Sequence, residues 1–524
     1  MTGTDAETAV LIVGGGPVGL TARALLERWG VSTLLVERHR ALSPLPRSRL
    51  VNVRSMEIFR QLGLAADVTS RAFAPRYGRI RFRDTLRDGD FATAAMIGVN
   101  EPVPESPEIG AVTSQDRLEP VLLAAARAPV RFGVELLGLT ERPDGIVAEL
   151  ADRERGETTR VRTRHLLAAD GANSTVRELL GIGTTGPGAM RGFTTVVFDA
   201  DLDAWCARQP AGVYFTAHGL FAPLYPEGGW AWFAPTPEDP DHADWPGLVA
   251  RALGPGPETR VDVLRVGHWV MNGFVAERFR HGGALLAGDA AHAIPIVGGL
   301  GMNAGIADAH NLCWKLAGVL QGWAGPRLLE TYETERHPVA RRTLDQAVAN
   351  TRLMLQVQHR RRDQHAAGDP TAPFELPWSE RYFAQLGLVL GVAYRSPAVL
   401  PDDATTLEPP DPGTNYVPTP EPGRRMPHLP LPDGRSTLDA LGEWFTLFSP
   451  EPDRWAPPTA APWPLRVEPL RPEPAEHLGL GSHGALLVRP DGHIAARWDD
   501  RPANDAALAD ALAAITRRVA APKR

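Results

Sequence analysis

The stretch AVLIVGGGPVGL, residues 9–20, predicts a strand, a glycine-rich turn and the start of a helix. The apolar run Ala9–Val13 is typical of a short buried strand. From Leu20 onward, apolar side chains recur on one helical face until Gly30 ends the pattern. A strand that turns sharply into a helix is the opening unit of a nucleotide-binding α/β fold.

The turn carries three glycines, Gly14, Gly16 and Gly19, in the spacing G-x-G-x-x-G. A side chain would block the tight turn at the first, hold a pyrophosphate off the backbone at the second, and separate helix from strand at the third. The helix begins at Pro17 and Val18, and the backbone N–H groups that follow the proline, together with the positive dipole end, are available to phosphates. The turn therefore predicts a dinucleotide site.

The segment VSTLLVER, residues 31–38, reads as a second strand and supports this prediction. Its Glu37 follows the glycines at roughly 20 residues, where an acid binds a ribose hydroxyl. We count Glu37 and its neighbour Arg38 among the candidate cofactor contacts. The alternative, a glycine-rich turn without a ligand, explains the turn but not the acid.

Composition excludes several classes of protein. At about 150 residues per domain, 524 residues make about two to four domains. The net charge of −7 has both signs interleaved, which predicts no nucleic-acid partner. Cys206 and Cys313 form no C-x-x-C, so we expect free thiols in a reducing compartment. Without a signal-peptide pattern or an apolar run near ~20 residues, we expect a cytoplasmic protein with no membrane span.

Aromatic strand candidates mark a possible substrate wall. GVYFTAHGLFAPLY and GGWAWFAP, within residues 187–281, suggest a sheet with one face turned toward something apolar. Tyr214, Phe221 and Trp232 are the candidates that this region supplies. Tyr214 and His218 are also conceivable bases, although ordinary strand residues have the same pattern.

Two further segments resemble cofactor loops. In HLLAADGANSTVRELLG an apolar strand ends at Asp170. Taken alone, this segment is equally consistent with a plain strand-to-helix turn capped by Asn173 or Ser174. In GGALLAGDAAHAIPIVGGLGMNAGIADAHNLCWKLAGVL a strand ends at Gly288 and Asp289, and after a Pro/Gly loop a long helix begins. That helix starts near Gly301, Met302 and Asn303, which places another anionic site at a helix N-terminus.

Together these segments resemble a known family. GGGPVGL, ADGANSTVR and AGDAAHAIPIVGGLGMNAGIADAHNLCWKLA occur in the order found in FAD-dependent aromatic hydroxylases of the para-hydroxybenzoate hydroxylase type. The chain is most similar to the longer members, which hydroxylate phenols and aromatic polyketides and carry a thioredoxin-like C-terminal domain. PGRRMPHLPLPDGRSTLDALGEWFTLF and GALLVRPDGHIAARW resemble that domain more loosely.

The resemblance implies an α/β fold in which a Rossmann-like FAD-binding domain is interleaved with a β-sheet substrate domain. A thioredoxin-like domain without redox cysteines would follow, with a hairpin turning at Asp491-Gly492. The boundaries we expect are 1–186 and 282–395 for the FAD-binding domain, about 75–115 for interleaved substrate segments, 187–281 for the substrate sheet and 428–524 for the C-terminal domain. The proline density of residues 396–427 predicts an ordered linker between them.

The resemblance also assigns residues to the cofactor. The three glycines would approach the FAD pyrophosphate, Glu37 the adenosine ribose, and Asp289 the ribityl and pyrophosphate region. Arg47 would lie near the flavin and Gln115 beside the ribityl chain, with Arg49 as a weaker candidate. Asp170 and Arg177 would serve both FAD and NADPH or NADH, although Arg177 is equally consistent with a structural helix arginine.

The chain departs from the family after the GDAAH motif. Many members read PP-x-GGQG there, whereas this chain reads PIVGGLG, with Ile296 for a proline and Leu300 for a polar residue. The apolar loop would keep water away from the flavin, and we expect Pro295 and Ile296 to face the substrate. We expect His292 to hold this loop rather than perform chemistry.

The implied reaction is hydroxylation of a bulky aromatic or polyketide-type compound through a flavin C4a-hydroperoxide, with NAD(P)H and O2 as co-substrates. The flavin carries the chemistry, so no catalytic side chain or metal is assigned, and we expect a monomer or homodimer. A Baeyer–Villiger or epoxidising oxygenase and a flavin-binding sequestering protein remain alternatives.

Three other classes fit less well. Trp230 and Trp232 resemble the W-x-W-x-I-P of flavin halogenases, but those enzymes need an active-site lysine and this chain has only Lys315 and Lys523. A flavin disulfide reductase would need a C-x-x-C. An NAD-dependent dehydrogenase would leave the Gly288-Asp289 motif unexplained.

Overall fold

The computed structural model describes residues 6–379, 382–401, 415–455 and 461–518. Lys523 and the middle of the predicted linker, 402–414, lie outside the described residues. Within the described part there are two eight-stranded sheets, a four-stranded sheet and a two-stranded ribbon.

The strands are β1 (Ala6–Val13), β2 (Thr33–Glu37), β3 (Leu50–Val51), β4 (Arg79–Phe82), β5 (Ala92–Ala95), β6 (Ala111–Val112), β7 (Val130–Phe132), β8 (Val134–Arg142), β9 (Gly145–Asp152), β10 (Glu157–Ala168), β11 (Thr184–Asp199), β12 (Val213–Thr216), β13 (Gly219–Tyr225), β14 (Gly228–Pro235), β15 (Asp262–Ala276), β16 (Arg280–His281), β17 (Ala284–Leu286), β18 (His292–Ala293), β19 (Phe445–Ser449), β20 (Leu465–Pro469), β21 (Ala485–Val488) and β22 (Ile494–Trp498). The α-helices are α1 (Pro17–Arg28), α2 (Val53–Gln61), α3 (Ala65–Thr69), α4 (Gln115–Ala124), α5 (Thr175–Leu179), α6 (Asp203–Cys206), α7 (Trp245–Leu253), α8 (Gly301–Gln321), α9 (Glu330–Ala366), α10 (Leu386–Val389), α11 (Pro472–His477) and α12 (Ala507–Ile515). Short 3-10 helices span Pro75–Tyr77, Gly288–Ala290, Pro326–Leu329, Tyr382–Ala384, Thr437–Ala440 and Pro452–Trp455.

The first sheet is the predicted Rossmann-like unit. β1 lies at its centre and pairs in parallel with β2 and β10, and the parallel strands β7 and β17 extend it on either side. Val10, Leu11 and Ile12 are fully buried, as expected for a strand covered on both faces. α1 begins at Pro17, three residues before the apolar period starts, because proline is favoured at the first helical position.

The second sheet collects strands from separated parts of the chain. Its order is β18-β15-β11-β14-β13-β12-β4-β5, so β4 and β5 come from well before its central strands and β18 from after the first sheet is complete. The predicted interleaving is therefore confirmed. Because β17 ends in the first sheet and β18 begins at the edge of the second, the GDAAH segment joins the two.

The third sheet packs against the rest of the protein. Its order is β20-β19-β21-β22, with β19 and β20 parallel and the other pairs antiparallel. One face lies in the same buried cluster as Trp314 of α8 and Trp323, and the other packs on Met426 and Leu431. The predicted hairpin is present, and Gly492 turns it with a φ of 80°.

One expectation for this region differs from the structure. The helix expected in RSTLDALGEWFTLFSP is a single 3-10 turn, Thr437–Ala440, whose capping box of Ser436 and Asp439 supports only that turn. The tract 396–427, which the sequence predicts to be an ordered linker, is bonded to the hairpin in its described parts. The N–H groups of Leu400 and Gly423 donate to the carbonyls of Ala495 and Ile494, so both ends of the tract run along the hairpin.

Candidate active site

The glycine turn is packed as the G-x-G-x-x-G spacing requires. A Cβ on Gly14, whose φ is 110°, would lie 2.2 Å from the carbonyl oxygen of Ala169, and one on Gly19 would lie 2.0 Å from that of Gly14. Gly16 is different, because its φ is −78° and no atom lies within 4 Å of an added Cβ. The turn therefore leaves open space at Gly16, in front of the α1 N-terminus.

The α1 N-terminus is free to bind an anion. Gly16 is its N-cap and makes no side-chain capping bond, Pro17 occupies the first turn, and no acid stands there. The N–H groups of Val18 and Gly19 thus lack intrahelical partners. The Val18 side chain fixes the neighbouring segment, since a Cβ on Gly288 would meet its Cγ2 at 2.8 Å.

Glu37 is held against the glycine turn. Its Oε2 accepts a hydrogen bond of 2.7 Å from the Gly15 N–H, and its Oε1 accepts one of 2.9 Å from the His39 N–H. The side chain retains 14% of its exposure, so the carboxylate lies at the edge of the site. Arg38, the other candidate, is exposed beside it.

Asp289 lies beside the first turn of α8. Its Oδ1 is 3.9 Å from the position that a Cβ on Gly301 would take, and the side chain is exposed while Gly288 and Ala290 are buried. Desolvation by the surrounding protein raises the pKa of Asp289, and nearby His292 opposes that rise. Such a carboxylate, accessible yet surrounded by protein, gains from a hydroxyl or amide donor.

The first turn of α8 offers backbone donors. It has no side-chain cap and no acid, so the N–H groups of Gly301 and Met302 have no intrahelical partner. The Asn303 side chain is already used, because its Nδ2 donates to the carbonyls of Leu50 and Gly299 at 2.8 and 2.7 Å. Asn303 can therefore reach a cofactor only through its backbone.

Arg47 and Gln115 converge on the same region. Arg47 is exposed and acts electrostatically on both Asp289 and Glu119. Gln115 begins α4, and its Nε2 donates to Glu119 Oε1 at 2.7 Å. Glu119 was missed at the sequence level, although it is 2% exposed and its Oε2 has no protein partner. Burial raises the pKa of Glu119.

Asp170 and Arg177 are engaged within the protein. Asp170 Oδ1 accepts from the Ser174 hydroxyl at 2.6 Å, so its carboxylate organises the start of α5. Arg177 donates to the carbonyls of Ala172 and Ala290 at 2.7 and 3.0 Å. These bonds support the structural alternative for Arg177 and tie this turn to the GDAAH segment.

Arg49, the weaker candidate, anchors the second sheet. Its guanidinium is buried and donates to the carbonyl oxygens of Gly212, at 2.8 Å, and Pro223. Burial lowers the pKa of Arg49 to about 10. Arg49 is therefore occupied by backbone carbonyls.

A second carboxylate, Asp308 of α8, binds the GDAAH segment, residues 288–292. It was missed at the sequence level. Asp308 Oδ2 accepts from the Gly288 N–H at 3.0 Å and pairs with His292 Nε2 at 2.6 Å. All three residues are buried. His292 thus holds the loop, as the sequence suggested. No sequence pattern points to Asp308, which looks like any acid in a helix.

These features fit a dinucleotide. Two uncapped helix N-termini, of α1 and α8, supply backbone donors and dipoles to anionic groups. The space at Gly16 admits a pyrophosphate to the backbone, and Glu37 and Asp289 supply acceptors for hydroxyl groups. The residues present therefore match the donors and acceptors of FAD.

The predicted substrate wall is wrong in its choice of face. Tyr214, Phe221 and Trp232 lie at 6% exposure or less in a closed core with Val249 and Leu253 of α7. The Tyr214 hydroxyl donates to the Gln209 carbonyl at 2.8 Å, and burial raises the pKa of Tyr214 well above its ordinary value. These side chains support the sheet from outside and offer no surface to a substrate.

Phe215, which follows Tyr214 in β12, points to the opposite face of the sheet. Phe215 stacks on Phe82 with ring centroids 5.5 Å apart, in a cluster that also includes Trp378 and Val297. A cavity of about 330 Å³ adjoins this cluster and is lined by Ala92, Thr93, Phe374, Glu375, Leu376 and Trp378. The segment that supplies most of this lining lies after α9, where the sequence shows no strand or helix pattern.

The apolar loop lies between this cluster and α8. Pro295 is buried, Ile296 is 42% exposed and Val297 packs on the aromatic cluster. Leu300 is buried against Ala347 and Leu388 instead of facing a ligand. Its apolar character therefore serves the packing of the loop.

Neither a metal site nor a membrane span is found in the described ranges. No cluster there of three or more His, Cys, Asp or Glu could hold a metal ion, and no described helix is long and apolar enough to cross a membrane. Cys206 and Cys313 are buried free thiols whose pKa burial raises. Lys315, the one lysine among the described residues, is ion-paired with Glu335 at 2.7 Å.

Known protein families and curated relatives match most of this chain. Residues 7–347 match the family model described as an FAD binding domain, and residues 419–518 match the C-terminal domain of aromatic-ring hydroxylases. An aklavinone 12-hydroxylase of Streptomyces purpurascens is 36% identical over 98% of this chain and 99% of its own length. A tetracenomycin B2 monooxygenase-dioxygenase of Streptomyces olivaceus is 36% identical over 97% and 98%.

Two solved structures are similar over nearly the whole chain. The flavin-dependent monooxygenase PieE, in complex with FAD and substrate, has a TM-score of 0.90 at 32% identity and covers 99% of this chain and 100% of its own. An aklavinone-11 hydroxylase in a ternary complex with FAD and aklavinone has a TM-score of 0.82 at 33% identity, with 99% and 100% covered. The chain therefore belongs to the family of FAD-dependent aromatic-ring hydroxylases.

Proposed function

We propose that this monooxygenase hydroxylates a bulky, polycyclic aromatic substrate of the polyketide type, with NADPH or NADH as reductant, in the biosynthesis of an antibiotic-like compound. The observation that carries the proposal is the cavity of about 330 Å³ beside the apolar cluster that contains the aromatic residues Phe215 and Trp378 and the aliphatic Val297. Its volume falls within the roughly 300–1,000 Å³ of small-molecule sites.

When bound, FAD would supply the redox chemistry, with reducing equivalents from NAD(P)H and oxygen from O2. This chain would hold the cofactor through the α1 N-terminus at the pyrophosphate, Glu37 at the ribose, and Asp289 with Arg47 at the central part. The uncapped first turn of α8 would stabilise negative charge on the reduced flavin.

The apolar loop excludes water from the reacting centre. Val297 packs on the aromatic cluster, and Leu300 anchors the loop in a separate core with Leu388. A dry site favours oxygen transfer over wasteful release of hydrogen peroxide. Pro295 and Ile296, at the start of this loop, remain the proposed contacts to the substrate.

The neighbouring charges favour a neutral substrate over a small acid. Arg49 is occupied by backbone carbonyls, and Arg81 and Arg83 both pair with Asp90. No guanidinium among these three is left to clamp a carboxylate in a bidentate manner. Aklavinone and tetracenomycin, named for the relatives, fit the same preference for polycyclic compounds.

The C-terminal unit and the assembly complete the proposal. We assign residues 428–524 to a thioredoxin-like domain without redox cysteines, supported by the mixed sheet and its hairpin. Free buried thiols at Cys206 and Cys313 support a reducing, cytoplasmic setting. We expect a monomer or homodimer, which the mass in solution decides.

Substrate-stimulated NADPH oxidation tests the proposed substrate class. We expect polycyclic phenols to stimulate oxidation and gain one oxygen, and small hydroxybenzoates to do neither. Trp378→Phe should raise the KM for a polycyclic phenol. Trp245 is a half-buried tryptophan on the core side of the same sheet, so Trp245→Phe should leave that KM unchanged. Stimulation by hydroxybenzoates alone, or equal effects of the two variants, contradicts the proposal.

A further inference from the structure

A cluster of fully buried charges joins the C-terminal unit to the FAD-binding part. The side chains of Lys315, Glu335 and Arg489 are 0% exposed, and that of Asp491 is 1% exposed. Burying one ion costs several kcal/mol unless it is paired, so a cluster of four is sensitive to the loss of any member. Two of the four come from helices α8 and α9, and two from the β21–β22 hairpin.

Glu335 is the centre of this cluster. Arg489 donates to both Glu335 oxygens through its terminal guanidinium nitrogens, Nη1 at 2.6 Å and Nη2 at 2.8 Å. Lys315 Nζ and Asn311 Nδ2, both from α8, donate to Glu335 Oε2 at 2.7 Å each. The carboxylate therefore fixes the position of α8 relative to the hairpin.

The β21–β22 hairpin also bonds directly to helix α8. Asp491 Oδ1 accepts from Arg489 Nε at 3.0 Å, and its Oδ2 accepts from Asn311 Nδ2 at 3.0 Å. Asn311 thus donates to Glu335 and to Asp491 through one amide group. Asn311 of α8 therefore links the carboxylate of α9 to that of the hairpin.

The next residue of α9 continues the network toward the cofactor site. Arg336 Nε donates to Asp308 Oδ1 at 2.7 Å, and its Nη2 donates to the Ala304 carbonyl at 3.0 Å. Asp308 in turn holds the Gly288 N–H and His292. Ala304 lies in the first turns of α8, directly after the backbone donors proposed for the flavin.

A ring contact supports the same connection. Tyr394 lies against His493 of the hairpin with ring centroids 4.1 Å apart, and its hydroxyl accepts from Arg336 Nη1 at 3.1 Å. The hairpin therefore reaches Arg336 by two routes, through Glu335 and through Tyr394. Both routes consist of side chains that are nearly fully buried.

We propose that Arg489 is a positioning residue for the FAD site: through Glu335 and Asp308, the C-terminal hairpin fixes the α8 N-terminus and the Gly288–His292 segment against the cofactor. The C-terminal unit then contributes to FAD binding without touching FAD. The inference rests on FAD occupying this site and not on the identity of the substrate.

The test uses the full chain and three variants. Arg489→Lys keeps the buried charge but loses the two-pronged grip on Glu335. The double variant Glu335→Gln with Arg489→Met removes both charges and keeps the volume. Arg60→Met is the control, because Arg60 forms an exposed ion pair with Asp439 of the same C-terminal unit at 2.6 Å.

The readouts are the FAD dissociation constant of the apoprotein, the visible spectrum of the bound flavin and the thermal unfolding temperature. We expect Arg489→Lys to raise the FAD dissociation constant about tenfold, the loss of about one charge-assisted hydrogen bond. The double variant should recover the unfolding temperature but not FAD affinity, and Arg60→Met should bind FAD like the wild type.

Two results would overturn the proposal. One is FAD affinity and a flavin spectrum in Arg489→Lys that match Arg60→Met. The other is a double variant that restores stability and FAD affinity together, which would make the cluster a matter of charge compensation alone. Since FAD binding is measured without substrate or NADPH, neither result depends on the substrate proposal.

Discussion

At the residue scale, Gly14 and Gly16 of the glycine turn must lack a side chain for two different reasons. An alanine at Gly14 would combine a positive φ with a 2.2 Å approach to Ala169, so Gly14→Ala should lower stability by more than about 1 kcal/mol. Gly16→Ala meets no atom within 4 Å and should fold normally, yet lose FAD affinity by about tenfold or more. Thermal unfolding of the apoproteins and FAD titration separate the two effects. A Gly16→Ala protein that binds FAD like the wild type contradicts the placement of the pyrophosphate.

Asp289 gives a second prediction at this scale. A charge-assisted hydrogen bond is worth roughly 1.5–3 kcal/mol, so Asp289→Ala should weaken FAD binding about 10- to 150-fold. Asp239→Ala is the control, since Asp239 is an exposed acid paired only with His242. Fluorescence titration of the apoproteins measures both. Unchanged affinity in the Asp289 variant would remove this residue from the site.

The sequence alone identifies the residues whose spacing has a local cause. Gly14, Gly16 and Glu37 follow from a turn and a strand end, and the structure brings them together as expected. Glu119 and Asp308 could not be found this way, because an acid in an amphipathic helix usually faces solvent. Gln115, the partner of Glu119 in the same helix, gives no sign of burial, and the partners of Asp308 lie 16 to 28 residues away.

At the element scale, strand alternation separates two faces without saying which face binds a ligand. Period two puts Tyr214 and Phe215 on opposite sides of β12, and either side could be the substrate wall. Only the tertiary contacts decide: α7 covers the Tyr214 side, while the segment after α9 and the apolar loop cover the Phe215 side. That segment is irregular, so no periodic signal points to it.

The pairing of α8 with α9 predicts a dependence on pH. Burial alone would raise the pKa of Glu335, but Arg489 and Lys315 outweigh it and hold the pKa at about 2. The carboxylate therefore stabilises the fold above its ordinary pKa of 4.5, and this stability is lost as the pH falls from 4.5 toward 2.

The unfolding temperature of the wild type should accordingly fall as the pH is lowered over that range. Glu335→Gln, which cannot titrate, should start less stable and show a shallower slope. Scanning calorimetry between pH 5 and 2 measures the slopes, and identical slopes would show that Glu335 does not carry the acid sensitivity.

At the scale of the whole molecule, the C-terminal unit covers apolar surface of the FAD-binding part. Trp314 and Trp323 are at most 6% exposed, and both pack edge-on against Phe445 of β19, at 5.8 and 6.1 Å. Removal of residues after 400 should expose these tryptophans and cause aggregation or a changed oligomeric state. Light scattering and mass in solution measure the result. A soluble truncation with the mass of its monomer and full activity would show the unit to be dispensable.

The overall architecture was predictable to the extent that motifs order the chain. The three motifs and their order gave the interleaved FAD-binding and substrate sheets, and the hairpin at Asp491-Gly492 was visible from its turn residues. The docking of the hairpin on α8 was not, since Arg489 and Glu335 are 154 residues apart and a charged pair leaves no periodic pattern.

The most direct test of the account is a turnover experiment with isotopically labelled O2. Purified protein reconstituted with FAD is given NADPH, labelled O2 and a polycyclic phenol, and the product is analysed by mass spectrometry. We predict a product heavier by one labelled oxygen atom, formed only when FAD and NADPH are both present. A product that has lost hydrogen without gaining oxygen, or that carries oxygen from water, would contradict the account.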